Sequence, residues 1–112
     1  MKIIRTDPLE VQPLGGDHPA ALAEPDASPY LALLYQACPN VGTVKEATGD
    51  LDNMRRTRAC CGPDYTILSG DDSLTHEMMT DPAIRAAGVI CVVGNVAPRA
   101  MTELVTALLN GD

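Results

Sequence analysis

Phenylalanine and tryptophan are absent from the 112 residues, and tyrosine occurs three times. A core built around large aromatic rings is therefore excluded. Leu, Val, Ile, Met and Ala must fill it instead, which suits packed helices and buried parallel strands. Basic residues are also scarce: 8 Lys and Arg stand against 15 Asp and Glu, a net charge of −7. A nucleic-acid footprint needs clustered Lys and Arg, so no such partner is expected. Arg55, Arg56 and Arg58 form the one basic cluster, read as the solvated face of a helix. No apolar run approaches the roughly 18 residues of a membrane helix. The opening MKIIRTDPLE lacks the apolar stretch of a signal peptide. No membrane association and a cytoplasmic location are the expectations.

The four cysteines, Cys38, Cys60, Cys61 and Cys91, form no C-x-x-C pair. The adjacent Cys60 and Cys61 suit neither an ordinary disulfide nor a zinc knuckle, and free thiols in a reducing compartment are expected. His18 and His76 are isolated. No metal site and no cofactor are expected.

Length allows one domain. Pro, Gly, Asp and Ala crowd residues 6–27, without a sustained period of 2 or 3.6. Residues 1–27 read as an irregular segment, with a short helix near Ala20–Glu24. Residues 28–112 are the organised part. Ser28 and Pro29 read as an N-cap and first helical residue, with Leu31, Leu34 and Tyr35 as the apolar stripe and a stop at Cys38 before Pro39. Val41–Glu46 reads as a strand. Asp50 caps a helix through about Ala59, and Tyr65–Ser69 is a second strand. Asp71 or Asp72 opens a third helix, with a break at Asp81-Pro82. Val89–Val93 is a continuous apolar strand. A last helix runs from about Pro98 to Leu109, closed by Gly111, and presents Met101, Leu104, Val105 and Leu108 to the core, with Arg99, Thr102, Glu103 and Asn110 on its other face. Short apolar strands alternating with amphipathic helices predict parallel β/α units. The pattern alone does not separate an open doubly wound sheet from an arc of a barrel.

Side chains alternate along a strand. Val41, Thr43 and Lys45 share one face, and Gly42, Val44 and Glu46 the other. Lys45 thus falls at the C-terminal end of a short strand, the edge where parallel β/α proteins place their chemistry. A lysine held among apolar neighbours loses hydration of its ammonium, which favours the neutral, nucleophilic amine. A lysine at a strand end also commonly points to water, so position alone does not assign catalysis. Gly70 ends the second strand, where a missing side chain admits a ligand or another backbone. The acids after it cap the next helix in the simpler reading. Ile90 lines the cavity of Lys45 if that face is a barrel interior, and is plain core otherwise.

Three segments together carry a resemblance. Val44-Lys45-Glu46-Ala47-Thr48-Gly49-Asp50 resembles the Schiff-base lysine motif of the dihydrodipicolinate synthase family. Leu68-Ser69-Gly70-Asp71-Asp72 resembles that family's next strand end. Gly88-Val89-Ile90, followed by Asn95-Val96-Ala97-Pro98-Arg99, resembles the strand and turn after it. All three stand in the family's order at near-family spacing, over about residues 30–112. The resemblance implies the last three strands of a (β/α)8 barrel, with Lys45 on the sixth. It implies a lysine imine with pyruvate, whose enamine attacks aspartate semialdehyde on the way to diaminopimelate and lysine. Lys45 would be the nucleophile and Ile90 the contact to the keto acid. Gly70 would be a backbone contact at the pocket wall. Full-length members are expected to be homo-oligomers.

The sequence also departs from the family. The Tyr-Asn-x-Pro-Gly-Arg and Gly-Thr-Thr-Gly-Glu segments have no counterpart, Gly94 stands where a larger or hydroxyl residue is common, and the helix between Gly70 and Gly88 is slightly long. A whole barrel takes about 250 residues, so three strands leave the sheet open. Two other readings are a sister pyruvate aldolase acting on sialic or sugar acids and an inactive truncated remnant. The Glu-Ala-Thr-Gly turn and the Asn-Val-Ala-Pro-Arg segment favour the dihydrodipicolinate branch. An independent α/β binding module lacks support, because no glycine-rich phosphate loop occurs.

Overall fold

The computed structural model describes residues 26–112, and the helix expected near Ala20–Glu24 lies outside them. The described elements are α1 (Ser28–Ala37), β1 (Thr43–Glu46), α2 (Leu51–Cys61), β2 (Thr66–Ser69), α3 (Thr75–Thr80), β3 (Gly88–Val89) and α4 (Pro98–Leu109), with a 3-10 turn at Val93–Asn95 between β3 and α4. The strands form one parallel sheet in the order β1-β2-β3. Parallel neighbours need a crossover, which α2 and α3 supply. Among the described residues the sheet is open.

Local chemistry accounts for most of the element ends. Asp50 caps α2: its carboxylate accepts from the N–H groups of Asp52 at 2.9 Å and Asn53 at 3.2 Å. Gly62 ends the same helix at φ 89°, a conformation costly for any residue with a Cβ. α3 stops where expected, before Asp81-Pro82, and the Asp81 carboxylate accepts from the Ala83 N–H at 2.8 Å.

Three element expectations need correction. Neither Asp71 nor Asp72 opens α3, which starts at Thr75 with Leu74 at its N-cap, after a turn over residues 72–74. Ser28 is not the N-cap of α1. Ala27 holds that position, the Asp26 carboxylate accepts the Ser28 N–H, and the buried Ser28 hydroxyl shares a 3.2 Å bond with Thr57 of α2. Pro29 does occupy the first turn. β3 is also shorter than Val89–Val93. Its ladder runs from the Ala87 N–H, donated to Ile67 O, to the Ile90 N–H, donated to Ser69 O, each at 2.8 Å. β2 then ends, so a longer β3 has no further backbone to pair with. Val92 is 73% exposed and Val93 turns into the 3-10 segment.

The core lies on one face of the sheet. Val44, Ile67 and Ala86 pack there with Met54 of α2, Met78 of α3, Ile84 and Tyr65. Tyr35 of α1 closes over Tyr65, with ring centroids 5.0 Å apart at 56°. Strand alternation follows the predicted parity: Val44, Glu46, Ile67 and Ser69 are buried, while Thr43, Lys45, Thr66 and Leu68 are half-buried on the other face. α4 departs from expectation. Met101, Val105 and Leu108 are half-buried, but Leu104 is 37% exposed and no residue of the helix is fully buried. α4 touches α3 and the 3-10 turn. It leaves an open cleft of about 570 Å³ against β3, lined among others by Leu68, Val89, Ile90, Met101 and Val105.

The basic cluster divides. Arg56 meets Asp26 at the surface at 3.0 Å, and Arg55 joins Asp52 to Asp81 at 2.6 and 2.7 Å. Arg58 is not a solvated residue. It is 8% exposed, and its guanidinium donates to the carbonyls of Gly62, Pro63, Tyr65, Ile84 and Arg85.

Candidate active site

The register places Lys45 opposite Leu68, and Leu68 opposite Gly88. Lys45, Leu68 and Gly88 therefore face the same side of the sheet, with Gly70 and Ile90 one step further along it. This is the face away from the core. With strands about 4.8 Å apart, Ile90 stands roughly 10 Å across the sheet from Lys45. Ile90 is 46% exposed. The structure thus brings the three sequence-predicted residues to one face and one edge, the C-terminal ends of the strands. Lys45 and Gly70 are in close apposition: a Cβ built on Gly70 would lie 2.7 Å from Lys45 Cε. Ile90 borders the α4 cleft rather than touching this pair.

Sequence reasoning missed the role of Glu46. Its carboxylate points to the core face and is 4% exposed. The Thr48 hydroxyl donates to Oε2 at 3.1 Å, and the Asn53 amide and Thr57 hydroxyl donate to Oε1 at 3.4 and 3.5 Å. Burial raises its pKa, and these donors offset part of the rise. Glu46 is therefore a polar anchor between β1 and α2. It lies on the opposite face from Lys45 and is not that amine's proton partner. The signal available in the sequence was strand parity, with polar partners two, seven and eleven residues on.

The two acids after Gly70 have different roles. Asp71 holds the turn into α3, accepting from the N–H groups of Ser73 at 2.9 Å and Leu74 at 3.1 Å and from the Ser73 hydroxyl at 2.7 Å. The Ser73 hydroxyl is the main cause that lowers its pKa. Asp72 instead reaches the Val93 N–H, 3.3 and 3.4 Å from its two oxygens. It ties the loop after β2 to the turn after β3 at the edge that carries Lys45. Among the described residues no cluster of His, Cys, Asp or Glu is arranged to hold a metal ion, and no helix is long and apolar enough to cross a membrane. The cysteines are free.

Parallel β/α units with a lysine on the sheet face away from the core, at the C-terminal strand edge, are the building blocks of doubly wound sheets and of β/α barrels. A model of the dihydrodipicolinate synthetase family matches residues 29–112, and the chain belongs to that family. The 4-hydroxy-tetrahydrodipicolinate synthase of Idiomarina loihiensis is 40% identical over 87 residues, which cover 78% of this chain and 28% of that protein. The synthase of Aquifex aeolicus is 43% identical over 79 residues, 70% of this chain and 26% of the relative. The crystal structure of dihydrodipicolinate synthase from Aquifex aeolicus superposes with a TM-score of 0.69 at 40% identity, over 76% of this chain and 28% of that one. The open three-stranded sheet matches a piece of that barrel. The chain spans about a quarter of the length of the curated relatives it matches.

Proposed function

We propose that this chain carries the imine-forming part of a pyruvate-condensing lyase of the dihydrodipicolinate synthase type. The observation that supports it most is the placement of Lys45, on the sheet face away from the core at the C-terminal strand edge, with Gly70 against its stem and Ile90 on the same face. In this reading the Lys45 Nζ attacks the ketone carbon of pyruvate, and water leaves as the imine forms. The imine then loses a methyl proton to become an enamine. The enamine carbon attacks the aldehyde of aspartate semialdehyde, whose oxygen takes up a proton; water or the substrate's own amine then adds to the re-formed imine and displaces the Lys45 amine, releasing a precursor of diaminopimelate and lysine. The imine nitrogen is the electron sink, so the chemistry needs no cofactor. Ile90 packs against the keto acid, and the Gly70 backbone contacts substrate. Residues 28–112 are the partial barrel, strands six to eight with their helices. Free cysteines suit a reducing cytoplasm.

The test is direct, because the sequence holds two lysines, Lys2 and Lys45. The chain is incubated with pyruvate, reduced with borohydride and mapped by mass spectrometry. The expected adduct is on Lys45 and is lost in Lys45→Ala. An adduct confined to Lys2 or the N-terminal amine overturns the assignment. Steady-state condensation by the 112-residue chain alone is not expected. The family segments that would hold the pyruvate carboxylate and relay protons have no counterpart in the sequence, and acid–base help alone contributes about 10²–10⁴-fold. Turnover by the chain alone that disappears in Lys45→Ala would refute that expectation.

A further inference from the structure

Gly70 is not used here for backbone freedom. Gly49, Gly62 and Gly111 have φ of 74°, 89° and 81°, but Gly70 is not among the positive-φ glycines. Its backbone is one that any residue adopts, so the position must be read through its missing side chain. The Gly70 N–H donates to the Glu46 carbonyl at 2.7 Å, which pins Gly70 beside the end of β1. A Cβ there would lie 2.7 Å from Lys45 Cε, 3.0 Å from Lys45 Cγ and 2.8 Å from Ala47 Cβ. Favourable carbon–carbon contact begins near 3.5 Å. The stem of Lys45 therefore crosses the space that any side chain at 70 would fill. The neighbouring position on this face, Gly88, differs: a Cβ there meets Leu68 at an ordinary 3.6 Å.

We propose that Gly70 is a positioning residue for Lys45, whose lack of a Cβ lets the lysine stem lie across the end of β2 and so sets where Nζ points. This rests on the imine reading of Lys45 given above. The two clashes at position 70 are unlike one another. Lys45 can rotate away, whereas the Ala47 Cβ moves only with its backbone. Gly70→Ala therefore displaces the lysine and also strains the backbone just after β1. Adding Ala47→Gly removes the second effect and leaves the first.

The test uses the 112-residue chain as wild type, Ala47→Gly and the double variant Ala47→Gly/Gly70→Ala, with ¹³C-labelled lysine. The wild type and Ala47→Gly should show a nuclear Overhauser contact from the Lys45 side chain to the Gly70 Hα protons. The double variant should lose the contact to residue 70 with its circular dichroism unchanged. Pyruvate–cyanoborohydride labelling of Lys45 should fall by about tenfold or more relative to Ala47→Gly, since small misplacements of a reacting group are costly, while labelling of Lys2 stays constant. The proposal is overturned if the wild type lacks the contact. It is also overturned if the contact persists in the double variant, or if Lys45 labelling stays within about twofold of Ala47→Gly. An intact contact in a wild type that forms no Lys45 adduct sinks the imine reading and leaves the side-chain placement standing. If the double variant does not fold, the wild-type contact decides the placement.

Discussion

Replacing Arg58 should destabilise the chain more than replacing Arg55 or Arg56. Arg58 sits in the last turn of α2, and its guanidinium bridges two loops. Nε donates to Ile84 O at 2.8 Å, and Nη2 to Arg85 O at 3.2 Å. Nη1 donates to Tyr65 O at 2.5 Å, Gly62 O at 2.9 Å and Pro63 O at 3.3 Å. Desolvation foremost, then repulsion from Arg85, lowers its pKa from the ordinary arginine value. That value is so high that the group stays charged at neutral pH. The bonds to Ile84 and Tyr65 are buried, and water can replace the others more easily. Hydrogen bonds to a charged group contribute about 1.5–3 kcal/mol each, so the buried pair alone gives roughly 3–6 kcal/mol. The desolvation of the arginine, which a neutral residue does not suffer, offsets part of this. Arg58→Met, which keeps the apolar stem, should therefore cost about 3 kcal/mol. Small domains are stable by about 5–15 kcal/mol in total, and the loss corresponds to a melting-temperature drop of roughly 12–24 °C. Arg58→Lys should recover at most half, because one ammonium cannot span both loops. Urea unfolding followed by circular dichroism measures both. A loss below about 1 kcal/mol for Arg58→Met, or full recovery by lysine, would refute the clasp.

Glu46 predicts a pH dependence of stability. Its raised pKa means that the folded chain holds its proton where the unfolded chain releases it, so this residue's contribution is fully present below about pH 4 and is lost as pH rises toward the raised value. Glu46→Gln should remove that downward slope above the ordinary glutamate range, and identical slopes in the two proteins would contradict the buried-carboxylate account. The lowered pKa values of Asp71 and Asp81 act in the opposite sense, their stabilisation being lost as pH falls below the ordinary aspartate range. Packing predicts a second contrast. Ile67→Ala, at a fully buried site, should cost about 2–5 kcal/mol. Leu104→Ala, at a site 37% exposed, should cost less than about 1 kcal/mol. Equal costs in thermal unfolding would show that α4 is packed as tightly as the sheet.

What the sequence determined by itself was local. Asp50 ahead of α2, Asp81 before Pro82 and Gly62 before Pro63 set helix ends through capping and backbone chemistry acting over a few residues, and those ends stand in the structure. Alternation along Thr43–Glu46 assigned Lys45 and Glu46 to opposite faces, because strand geometry has a period of two regardless of context. The three family-like segments, in order, were also legible as text.

Tertiary structure decided whatever depended on partners distant in the chain. An apolar run at Val89–Val93 looks like a strand, yet its length was set by where β2 runs out of backbone to pair with. Arg58 resembles its exposed neighbours in sequence. Its burial follows from carbonyls up to 27 residues away that converge on one guanidinium. Leu104 lies on the apolar stripe of α4, but a stripe is buried only if something covers it, and among the described residues nothing covers this one fully. The apposition of Lys45 and Gly70 arises from the β1–β2 register, a pairing between residues 23 positions apart that no local pattern encodes.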